Sequence, residues 1–163
     1  MKNVFIGVFA LAAFAAATSF AQPNNAQSVD LVVPSVLRVS ISPATLTLDL
    51  STVIPTPGTD LIGTVTDGSS TYRYVHNSGT GAAITVGTGS ALPAGLELLV
   101  DLAAPPAGGT STTVNLTSGV AFDAVSAIPR GAGSATATYT FRAYASGADP
   151  GTTNRTLTYT MHN

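Results

Sequence analysis

The 163-residue chain contains no cysteine and no tryptophan. Without cysteine there is no disulfide framework, no thiolate metal site and no cysteine nucleophile. Lysine occurs once, at Lys2, and only 9% of the residues are charged. Beyond residue 21, five arginines face eight carboxylates, a net charge of −3. No basic patch is available to neutralise phosphates, which argues against nucleic acid as a partner. A sustained 3.6-residue apolar stripe is also missing. With 16 glycines and 10 prolines spread along the chain, long helices are not expected.

The first residues, MKNVFIGVFALAAFAAATSFAQ, read as a secretory signal peptide. Lys2 supplies the positive start, Val4 to Ala17 the uncharged apolar run, and Ser19 and Ala21 the small residues before a cleavage point. The apolar run ends at Thr18-Ser19, short of the ~20 residues that a spanning helix needs. Residues 1–21 are therefore expected to be removed, leaving 22–163 as one domain without a transmembrane helix. Export without disulfides suits the exterior or the periplasm of a bacterium better than a eukaryotic extracellular module.

Along the rest of the chain the dominant signal is alternation with period two. Val29, Leu31 and Val33 alternate with Ser28, Asp30 and Val32, and Pro34 separates them from Leu37, Val39 and Ile41. Leu46, Leu48 and Leu50 repeat the pattern. Residues 61–67 and 71–77 flank Gly68-Ser69-Ser70, which reads as a hairpin loop. Further strands are expected at 82–87, 95–102 and 112–118, with a weaker one around 120–128. In SATATYTFRAYAS, residues 134–146, Tyr139 and Phe141 share one face while Thr136, Thr138 and Thr140 share the other. The closing RTLTYTMHN places Leu157, Tyr159 and Met161 inward and its threonines outward. Threonine is β-branched and polar, so it suits the wet face of a pleated sheet. Asp149-Pro150-Gly151 between these two strands is a turn. About eight to ten short strands at this spacing predict an all-β fold, a single antiparallel β-sandwich of the immunoglobulin-like kind.

Candidate chemistry is thin. His76 and His162 are isolated, without a metal-ligand spacing, and His76 is expected to be partly exposed at a strand or loop end. Glu97 is the single glutamate, and Asp101 on the same strand face lies about 13 Å away. That is beyond the ~5 to 9.5 Å of a glycosidase pair. No G-x-S-x-G elbow occurs. The expectation is no catalytic residue, no metal and no cofactor. Tyr72, Tyr74 and Tyr144 are the candidate ligand-facing aromatics: Tyr144 falls on the threonine face, and alternation leaves the faces of Tyr72 and Tyr74 open.

The early VDLVVPSVLRVSIS segment, the threonine-rich strands and the closing TLTYTM together resemble bacterial secreted surface and fimbrial-type, pilin-like proteins. In chaperone–usher pilins an N-terminal extension of alternating hydrophobes completes a neighbour's sandwich. The resemblance implies that role for Val29, Leu31 and Val33, and matches Tyr159 to the tyrosine near the end of the last pilin strand. Tyr159 is not penultimate here, and the cysteine pair common in those subunits is absent. The expected function is that of a non-enzymatic structural or adhesive protein of the cell surface, self-associating or binding an envelope partner, with fimbria-like strand pairing. A secreted carbohydrate- or ligand-binding module is the alternative, and a small outer-membrane β-barrel a third. Residues 28–33 fit either a strand given to another subunit or the first strand of their own sandwich.

Overall fold

The computed structural model describes residues 27–163, and the signal peptide expected at 1–21 lies outside them. The chain divides into a unit ending at Val32 and a unit running from Val33 to Asn163. In the first, residues 27–32 form no strand.

The second unit is an all-β sandwich of two antiparallel sheets. Its strands are β1 (Leu37–Ser42), β2 (Leu61–His76), β3 (Ala82–Gly87), β4 (Leu96–Leu102), β5 (Thr110–Ser111), β6 (Val114–Asn115), β7 (Phe122–Ile128), β8 (Gly131–Tyr144) and β9 (Thr158–His162). One sheet has the order β1-β2-β8-β4-β6 and the other β5-β7-β3-β9. Neither sheet closes on itself, so the fold is a sandwich and not a barrel.

Alternation explains most of the core. On β8, Ala137, Tyr139 and Ala143 are buried, with half-buried Phe141 packed against them. Leu98, Val100 and Leu102 of β4 face the same interior, opposite Ile84 and Val86 of β3 and Met161 of β9. The hydroxyls of Tyr139 and Tyr159 meet at 2.5 Å and tie the two sheets together. On the outer face, the Thr66 and Thr140 hydroxyls bond across β2 and β8 at 3.1 Å.

The expected hairpin at 68–70 does not form; β2 runs straight through it. Asp67 pairs with Tyr139 and Ser70 with Ala137, so β2 carries one residue more than β8 over this interval. That is a β-bulge, and it reverses which parity of β2 faces inward. Before it Gly63 is buried, and after it Ser70, Tyr72, Tyr74 and His76 are. The amide and hydroxyl of Ser69 both donate to Asp67 Oδ1, at 2.9 and 2.7 Å. These bonds hold the Asp67 carboxyl below its usual range.

Two other expected strands are also absent. Residues 28–33 pair with no other described residue. At 45–50 the alternation is visible in burial, with Leu46, Leu48 and Leu50 half-buried and their neighbours exposed, but no ladder forms. The stretch expected at 112–118 holds only the short β6, preceded by β5 at 110–111.

Candidate functional site

Solvent-facing apolar residues concentrate before the sandwich begins. Val29 is 67% exposed, Leu31 88% and Val33 80%. Large aliphatic side chains left in water at ~25 cal/mol per Å² are a standing reason for association. Six residues in extended form span about 20 Å, which suits an edge strand the length of β1 or β9.

The sandwich offers two unlike sides. On one, the chain itself passes from β5 in the second sheet to β6 in the first, over residues 112–113. Thr112 N donates to Ala124 O and Leu116 N to Leu98 O, both at 2.9 Å. The other side is bounded by β1 and β9, the remaining edge strands, which lie close to each other. Leu37, Val39 and Ile41 of β1, and Leu157 and Tyr159 at β9, are only half-buried there. Just after β1, Leu46 and Leu48 pack on the core from a segment whose residues 44–49 make no main-chain hydrogen bond to another described residue.

The tyrosine platform is not assembled. Tyr72 is wholly buried and Tyr74 is 4% exposed, because the bulge turns both inward. The Tyr72 hydroxyl donates to Ala103 O at 2.6 Å, and burial, with Tyr74 nearby, pushes its pKa up to about 12. Tyr144 is half-buried, and its hydroxyl donates to Glu97 Oε2 at 3.2 Å. The burial of Tyr72 and Tyr74 removes the aromatic arc that a carbohydrate-binding surface required.

His76 is likewise a correction. At 2% exposure it belongs to the core row of Tyr72 and Tyr74, not to a partly exposed end. Its Nε2 donates to Pro129 O at 2.7 Å. His162 lies on the outer face of the second sheet, 2.9 Å from Asp123 Oδ1, which also accepts from Thr85 Oγ1 at 2.8 Å. The hydrogen bond to Asp123 raises the His162 pKa, and the bond from His162 lowers that of Asp123.

Glu97 sits in a surface network. Asn115 Nδ2 donates to its Oε1 at 2.9 Å, and Arg142 to its Oε2 at 3.1 Å. Asp101 accepts from Ser111 Oγ at 2.6 Å. Among the described residues no group of three or more His, Asp or Glu could hold a metal ion. No helix among them is long and apolar enough to cross a membrane.

No family model, curated protein or solved structure matches the chain. Two separate features stand out by their own physics: the exposed Val29, Leu31 and Val33, and, within the sandwich, the β1–β9 side. Sequence reasoning selected those three residues but missed Asn77, where the chain enters the sandwich. An amide directly after the Tyr72-Tyr74-His76 row was the available signal.

Proposed function

We propose that the protein is a secreted, non-enzymatic structural subunit of a bacterial surface, joined to copies of itself by strand pairing. In this reading residues 28–33 of one chain add to the β1–β9 side of another. The observation that carries it is the exposure of Val29, Leu31 and Val33 on a segment with no strand partner among the described residues. Unpaired edges are templates for another chain, and strand addition combines main-chain bonds with pockets for alternate side chains. The exposed residues of β9 at this edge, Thr158 and Thr160, carry no charge to block an approaching strand.

Deleting residues 22–33 tests the proposal. The truncated protein should remain monomeric by sedimentation and form no filaments by electron microscopy, while the chain beginning at Gln22 assembles. Normal assembly of the truncated protein would remove residues 28–33 from any such role.

A further inference from the structure

The chain enters the sandwich through a clasp made by one residue. Asn77, immediately after β2, is half-buried. Its main-chain N donates to Val36 O at 3.1 Å. Its side-chain Oδ1 accepts from Val36 N at 2.8 Å, and its Nδ2 donates to Pro34 O at 2.7 Å. A single planar amide carries both a donor and an acceptor, so it stands in for a neighbouring strand along residues 34–36. The ladder proper begins only at Leu37, opposite His76. Pro34 has no N–H to offer, and its carbonyl is the first main-chain group of the described chain held in this way.

We infer that Asn77 is a positioning residue for strand donation: by fixing Pro34 to Val36 in advance, it anchors the root of the donor segment. This rests on the assembly reading above. Ordering flexible residues opposes association, and prior ordering reduces that cost. Without the clasp, the residues between Val33 and Leu37 become slack that must be ordered each time a strand is donated. Asn77→Asp separates the two halves of the device, because a carboxylate can still accept from Val36 N but faces Pro34 O without a donor.

The experiment pairs a tethered and an untethered donor. Self-association of the chain from Gln22 is measured by sedimentation for wild type, Asn77→Ala and Asn77→Asp. In parallel, a labelled peptide of residues 27–34 is titrated into chains lacking residues 22–33, with and without Asn77→Ala. Those truncated chains keep the whole buried core, which lies between Tyr72 and Met161. The expected result is about a tenfold loss of self-association for Asn77→Ala, a partial loss for Asn77→Asp, and unchanged peptide affinity. Unchanged self-association would overturn the role of Asn77 while leaving strand donation intact. Peptide affinity falling in step with self-association would also overturn it, because Asn77 would then be supporting the acceptor. Absence of both peptide binding and self-association in wild type would overturn the assembly reading, and this inference with it.

Discussion

The two sides of the sandwich are finished in opposite ways. On the β5–β6 side the edge strands are two residues long each, and the chain crossing between them seals the sheets. Very short edges are one of the ways in which proteins prevent unwanted pairing. Behind this seal Leu102, Leu116 and Ile128 are fully buried. On the β1–β9 side the edge strands are six and five residues long, and of their inward apolar side chains only Met161 is buried, while Leu37, Val39, Ile41 and Tyr159 stay half-exposed. The fold blunts one pair of edges and leaves the other long and lightly charged, and in the assembly we propose stability and association fall to different sides. The sealed side holds the core together, and the other side is available to a partner.

Truncation on the two sides should give the largest contrast. Leu102→Ala, at a fully buried site, is expected to cost about 2 to 5 kcal/mol. Leu48→Ala, half-buried beyond β1, should cost about 1 kcal/mol, because part of its surface is already in water. Urea unfolding of both variants measures the difference, and equal losses would erase the distinction between the sides.

An intermediate effect is expected where the sheets are tied near the open side. Tyr159→Phe leaves the Tyr139 hydroxyl buried without its partner, at a cost of about 1 to 3 kcal/mol. The double variant Tyr139→Phe/Tyr159→Phe should recover part of that loss, since neither ring then carries an unpaired hydroxyl. A double variant less stable than the additive sum would refute the hydroxyl tie.

The smallest effect is the pH dependence of the end of β9. His162 has a raised pKa, so its contribution is complete below its unfolded value of about 6.5 and fades as pH rises through the folded value. Asp123 has a lowered pKa, so its contribution is present above about 3.9 and fades as pH falls through its folded value. The pair therefore helps most between about pH 4 and 6.5. With side chains 44% and 47% exposed, the gain should stay below about 1 kcal/mol. Melting curves of wild type and His162→Asn should diverge in that window and converge toward pH 9; a constant offset would deny the pairing.

How much of this was legible in the sequence depended on whether a pattern was local. Strands β1, β4, β8 and β9 keep period two over their length, and each lies where alternation puts it, whereas β3 is buried on both faces and shows no alternation. β2 was misread because Asp67-Gly68-Ser69-Ser70 has the composition of a turn, and only pairing with β8 turns it into a bulge. That misreading carried His76 with it and left the faces of Tyr72 and Tyr74 open, since all three depend on parity counted across the bulge. The leucines at 46, 48 and 50 show the opposite failure: their burial pattern was readable, but a ladder needs a second strand that no local pattern announces. Val29, Leu31 and Val33 were identifiable as an alternating apolar set, whereas their exposure, and the hold of Asn77 on residues 34–36, are properties of the folded chain.

The bulge in β2 also makes a statement about heredity. Loss of one codon between Asp67 and Ser70 would delete the extra residue and restore simple alternation along the strand. Ser70, Tyr72, Tyr74 and His76 would keep their inward faces and their partners on β8, because the residue removed is the one that has no counterpart there. A three-base deletion here preserves every face, whereas the same loss between Tyr72 and His76 would reverse the residues that follow it, a change no single substitution can make. Descendants of this sequence should lose a residue between Asp67 and Ser70 before they lose one between Tyr72 and His76.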